Sequence, residues 1–365
     1  MSPQAEAFFT AQLKGEQPPS RATMELLYGL AAKIAERHPW KRLADTALVL
    51  VEGLLPGDLC YCSFMGALGQ VFSMHAYVGR EGLRGFRKIE RGDPITAGEL
   101  WAQTRCLFIE FVRPGGLTAP DRVVLRSLGH PVRPGVWSPI YRSIRRGYHP
   151  WYITNEEGIL LAKCAEAALG FLDVMEREPK NYWDSPDRYP VVVQDGGKAG
   201  GYEVRAVRLP AAEEPIPVIP NLDSTRVGRI LAEGLPRRGV LQLGQIYGAA
   251  GIGKKNERKA CFRAVVAIDA ETGFAHRPSA LAPECSDGEA LLEGIYGAVE
   301  GSRMLPVTIQ VGNAESKLLL EPLARALGIG VEVRKALPAF EMARRSMLEM
   351  FGDAGSIVEP EAARE

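Results

Sequence analysis

A chain of 365 residues with 46% apolar and 24% charged residues has an ordinary globular composition and is long enough to build two cores rather than one. Lys+Arg and Asp+Glu both number 44, so the net charge of zero excludes a protein that coats polyanions wholesale, while leaving room for local basic patches. No apolar run approaches the roughly 20 residues that span a bilayer. The first twenty residues lack a cationic leader and an apolar core, so a cytoplasmic protein with no membrane association is expected.

In chain order, residues 21–38 form an amphipathic pattern with Leu27, Leu30, Ala31 and Ile34 on one face, which predicts a helix. Strand-like runs follow at 45–54, 57–66 and 69–79, the last two joined as a hairpin by Gly66-Ala67-Leu68-Gly69-Gln70. A short helix is expected at 80–89 and a strong strand at 104–114. The stretch 121–151 is rich in Arg, Pro and aromatic residues and has weak periodicity. Thr154 and Glu157 then have capping-box spacing and open a helix whose buried stripe is Leu160, Cys164, Ala168, Phe171 and Met175. Residues 1–180 therefore read as one α+β domain.

Residues 181–236 are turn-rich and studded with proline, and they read as a linker carrying a β-hairpin over 191–210. From 237 to 352 the order is informative. Three strands at 239–248, 259–269 and 274–283 precede a helix that Ser286 and Glu289 cap as a box. A strand at 306–312, a helix at 315–328 that Pro322 either kinks or holds in its first turn, a strand at 329–336 and a helix at 338–351 complete it. Residues 353–365 read as a flexible acidic tail.

Gly248, four further residues and Gly253-Lys254 have the spacing of a phosphate-cradling loop, but Lys255 stands where a metal-holding hydroxyl belongs. A strand pattern follows instead of a helix, so the positive helix end that would hold a phosphate is missing. Cys60 and Cys62 form C-x-C rather than C-x-x-C, further Cys or His partners are not in place, and the five histidines are scattered. No metal and no cofactor are expected, and the cysteines read as reduced thiols.

The pattern from 239 to 351, three antiparallel strands followed by alternating helices and strands, resembles the ribonuclease H-like fold of nucleases, transposases and integrases. "VTIQVGNAESKLLLEPLARALGIGVEV" is its most similar segment. The resemblance implies an α/β domain in which carboxylates from separate elements meet two metal ions. Here the first strand offers only Gln242 and Gln245, and Asn313 ends the fourth, so the resemblance implies a scaffold without its acidic catalytic centre. Asp269, Glu289 and Glu341 are the carboxylates available to an alternative metal-dependent nuclease, with Glu293 beside them; turn, capping and surface roles account for them more simply. The segments "YCSFMG", "GQVFSMHAYVGREGL" and "IQVGNAESKLLLEPLARALGIGVEVRKALPAFEMA" also resemble a bacterial two-module family of unknown function, which implies the division and no activity.

Two basic stretches remain. From Arg122 to Asn155 there are arginines and no acid, interleaved with aromatic rings, with Arg142, Arg145, Arg146, Tyr148 and Trp151 in the densest part. Arg237 to Arg263 adds Lys254, Lys255, Arg258 and Lys259 against Glu257 alone. Guanidinium forks suit phosphates and rings stack on unpaired bases, so single-stranded nucleic acid is the first partner expected, with an acidic protein as the other. The simpler alternative is a solvated face whose charges pair with acids elsewhere in the fold. The expected function is thus a non-catalytic macromolecule-binding protein.

Overall fold

The computed structural model describes Leu13 and residues 16–91, 96–130, 132–183, 188–194, 201–209, 217–254 and 257–350. Two compact units divide the chain. The first comprises Met1–Asp93, Gln103–Glu213 and Gly253–Lys259, and the second Pro94–Ala102, Glu214–Ile252 and Ala260–Glu365.

In chain order the elements run α1 (Arg21–Arg37), β1 (Val49–Leu55), β2 (Asp58–Met65), β3 (Phe72–Val78) and α2 (Gly79–Glu90). Next come α3 (Ala97–Gln103), all but its last residue in the second unit, then β4 (Cys106–Val112), α4 (Ala119–Ser127), β5 (Ser138–Ile144) and α5 (Asn155–Arg177). The hairpin β6 (Arg188–Gln194) and β7 (Tyr202–Arg208) closes the first unit's sheet, whose order is β5-β4-β3-β2-β1-β6-β7. β1 to β5 form an antiparallel meander, and β6 joins β1 in parallel. The stretch expected as a linker thus supplies two strands of this sheet, because Tyr189, Val191 and Val192 bury an apolar set against it.

One face of that sheet lies under α1 and α5. Cys60, Cys62 and Phe64 on β2 and Met74 and Ala76 on β3 are fully buried there with Leu27, Ile34, Leu161, Cys164 and Phe171. On the opposite face α2 lies close to β3, and Phe86 meets Tyr77 edge-on at 5.3 Å. Gly82 makes that approach possible, since a Cβ there would stand 2.6 Å from the Tyr77 carbonyl carbon.

The second unit contains α6 (Ser224–Ala232), β8 (Val240–Ile252), β9 (Ala260–Asp269), β10 (Ser279–Ala280), α7 (Asp287–Ser302), β11 (Thr308–Val311), α8 (Ala314–Leu327), β12 (Gly330–Val333) and α9 (Pro338–Met350). Its sheet runs β10-β9-β8-β11-β12, with β8 to β10 antiparallel and β11 parallel to both β8 and β12. β9 is buried on both faces. Val265 and Ala267 pack with Leu292, Ile295 and Leu320 of α7 and α8, and Ala264, Val266 and Ile268 pack with Phe340 and Leu348 of α9. That explains its near-continuous apolar run.

Three local expectations change and one open choice closes. β8 continues through Gly251 and Ile252 with a bulge between Gly248 and Gly251, so most of the glycine-rich segment is strand and the turn begins at Gly253, whose φ is +145°. The third strand shortens to Ser279–Ala280, because Pro278 lacks the N–H that a longer ladder needs. Of the two places open to Pro322, it takes the one inside α8. α6 stands within the stretch expected as linker, with the Asp223 carboxylate accepting from the Arg226 N–H at 2.9 Å.

Candidate functional site

The first of the two basic stretches folds into α4 and β5, neither of which its periodicity announces. Thr118 and Asp121 form a capping box at the start of α4, and Pro120 pre-sets its first turn. Asp121 also anchors Arg142 of β5: Arg142 Nη2 donates to Asp121 Oδ1 at 2.9 Å and to Oδ2 at 2.7 Å, and Nη1 donates to the Tyr141 carbonyl at 2.9 Å. The Arg142 guanidinium also lies over the Tyr152 ring at 4.5 Å. The two paired side chains are only 13% and 9% exposed. Arg142 is therefore a buried structural cation.

Arg145 is tied on both sides, from Nε to Glu157 Oε1 at 2.8 Å and from Nη1 to Glu16 at 2.5 Å. Burial alone would push the Glu157 carboxyl up. The Arg145 guanidinium, the Thr154 amide and the Ser143 hydroxyl outweigh it and hold the carboxyl below its usual range. Arg146 is exposed, while Tyr148 and Trp151 are half-buried. The Trp151 backbone pairs with Ser143 in both directions, at 2.7 and 2.9 Å, which doubles the chain back against β5.

The second stretch meets the first. Arg258 donates to the carbonyls of Ser143 at 3.1 Å and Tyr152 at 3.2 Å, and the His149 N–H donates to the Lys259 carbonyl at 2.9 Å. Burial, with the Arg145 cation second, lowers Arg258 to about 10. Lys259 Nζ closes its own loop onto the carbonyls of Gly253 and Lys254 at 2.6 and 2.7 Å. Lys254 is exposed, and Lys255 lies outside the described residues. Arg142, Arg145, Arg258 and Lys259, expected to meet a polyanion, thus bond to groups of the first unit, and the side chains of Arg146 and Lys254 are exposed.

In the second unit the polar groups at the strand centres are amides held inside the fold. Gln242 on β8 is 5% exposed; its Nε2 donates to Gln310 Oε1 on β11 at 3.2 Å, and its Oε1 accepts the Phe340 N–H of α9 at 3.0 Å. Gln245 Oε1 accepts from Tyr247 Oη at 2.7 Å and from Arg263 Nε at 2.9 Å, and Arg263 also pairs with Asp287 at the start of α7. Asn313 caps α8, its Oδ1 accepting from the Ser316 N–H at 2.8 Å.

The carboxylates each have local work. Asp269 accepts from the Thr272 N–H at 2.7 Å and its hydroxyl at 2.8 Å within a turn. Glu289 completes the α7 capping box with Ser286, whose amide and hydroxyl hold its carboxyl below the usual range. Glu293 meets Arg226 at 2.9 Å, and Glu341 meets Arg344 at 2.9 Å. Among the described residues no three His, Cys, Asp or Glu side chains stand together as metal ligands. No helix among them is long and apolar enough to cross a membrane.

Sequence reasoning missed the acids that consume these arginines. Asp121 lies 21 residues before Arg142, and its only local signal was the Thr118 capping box. Residues 25–189 match the model of a domain of unknown function, DUF7309, and residues 231–348 match a second, DUF6930. The chain thus consists of two modules, each similar to a family of unknown function. No curated protein and no solved structure matches it.

Proposed function

We propose that the chain is a non-catalytic binding protein whose second unit is a ribonuclease H-like scaffold with neutral amides where nucleases of that fold carry acids. The strand order β10-β9-β8-β11-β12, antiparallel only on the β9 side of β8, supports the fold reading, as do the helices α7, α8 and α9 in sequence. The observation that carries the functional reading is the Gln242 amide. It is buried on the first strand, joined to Gln310 on the fourth and to the Phe340 N–H. A neutral amide with both ends engaged is a poor ligand for a hard divalent cation, which favours clustered carboxylates.

The first partner is single-stranded nucleic acid. Its contact is the surface where the 253–259 loop is tied to residues 143–152, with Arg146 and Lys254 as the exposed cations and Tyr148 and Trp151 as the half-buried rings. Incubation of a labelled oligonucleotide with the protein and Mn²⁺ or Mg²⁺ is expected to leave it intact. Cleavage that disappears in Asp269→Asn, Glu289→Gln or Glu341→Gln would instead assign a relocated metal centre.

A further inference from the structure

The first unit contains a second feature, remote in sequence from the basic loops. A cavity of about 250 Å³ opens beside the turn that precedes β1, between Arg42, Leu43, Thr46, Trp183, Arg188 and Tyr189. At about 30 Å³ per water it has room for some eight waters, the size of a flat ring bearing one charged substituent. We infer that this cavity binds a small anion carried on a flat ring.

Its walls are preset for a ring. Trp183 donates its indole N–H to the Leu48 carbonyl at 3.1 Å, and its ring stands edge-on to Phe171 at 5.7 Å, so the indole plane is fixed before any ligand arrives. Tyr189 is 7% exposed and adds a second aromatic wall. Fixed rings lose little freedom on binding.

Its rim is preset for an anion. Arg188 is exposed at the first position of β6 and has no ion pair or side-chain hydrogen bond among the described residues. Arg42 spends Nη1 on Glu176 at 3.0 Å, which orients its guanidinium and leaves other N–H donors of the fork. The Thr46 hydroxyl is exposed on the same rim. Lys41 borders an adjoining wider depression that shares Arg42, Leu43 and Ala44, which adds to the positive potential. Two forks and a hydroxyl suit a phosphate or a carboxylate, and among the described residues no carboxylate lines the cavity.

Isothermal titration of the full chain with four probes tests this: adenosine monophosphate as a ring phosphate, 2-naphthoate as a ring carboxylate, inorganic phosphate, and adenosine. Binding of either ring-bearing anion with a Kd below about 1 mM is expected, and which of the two binds identifies the anion. Arg188→Ala should weaken it about tenfold or more, Arg188→Lys less, with the melting temperature unchanged because the side chain is exposed. Failure of both ring anions to bind overturns the inference. Inorganic phosphate binding as tightly as the monophosphate removes the ring, adenosine binding as tightly removes the anion, and an unaffected Arg188→Ala variant removes the site.

Discussion

Replacing Arg142 by alanine separates a structural cation from a ligand-binding one. The change leaves Asp121 buried without its partner and removes the cation from the face of the Tyr152 ring, 4.5 Å away. Breaking a buried pair by deleting one member costs about 3–5 kcal/mol, because the remaining charge is stranded. Side-chain exposures of 13% and 9% let some water reach the carboxylate, so the lower end applies, about 3 kcal/mol. That is a large share of the roughly 5–15 kcal/mol that holds a domain folded. Urea unfolding followed by tryptophan fluorescence reads the correct unit, since Trp40, Trp137, Trp151 and Trp183 lie in the first and only Trp101 in the second. The midpoint should fall at an unchanged slope, while Arg146→Ala, exposed, should stay within about 0.5 kcal/mol of the parent. A parent-like midpoint for Arg142→Ala, coupled to loss of oligonucleotide binding, would refute the structural assignment.

Gln242→Ala should destabilise the second unit by about 1–3 kcal/mol, since the Phe340 N–H and the Gln310 amide both lose a buried partner; calorimetry of the variant measures it, and an unchanged transition would remove the network's role. Glu157 is held below its usual range, so its contribution is fully present above the unfolded carboxyl's range, near 4.3, and is lost as pH falls through the lower folded value. First-unit stability followed from pH 6 to 3 should therefore decline less steeply in Glu157→Gln than in the parent, and parallel declines would show that Glu157 does not titrate with folding.

Much of the architecture was legible where local chemistry marks it. The boxes at Thr154 and Ser286 announced α5 and α7, and runs of apolar, β-branched and aromatic residues announced β2, β3 and β9. α4 and β5 were hidden because arginines and prolines interrupt their apolar pattern, although the Thr118, Pro120 and Asp121 spacing was a readable start. The fate of the arginines was not legible at all. Arg142 pairs 21 residues back, Arg145 reaches Glu16 across 129, and Arg258 reaches Ser143 across 115, and such partners are set by the sheet rather than by neighbours in sequence. The amides Gln242 and Asn313 were legible at the strand positions where the sequence resemblance led acids to be sought, but only the strand register shows Gln242 facing Gln310.

The most direct test of the binding claim is the salt dependence of fluorescence anisotropy for a labelled single-stranded oligonucleotide, comparing the parent with Arg146→Ala/Lys254→Ala. The account predicts binding that weakens linearly on a log–log scale as salt rises, with the slope reduced by about 1.4 in the double variant, from about 0.7 per lost phosphate contact on a single strand. No binding at about 50 mM salt, or an identical slope in both proteins, would contradict it.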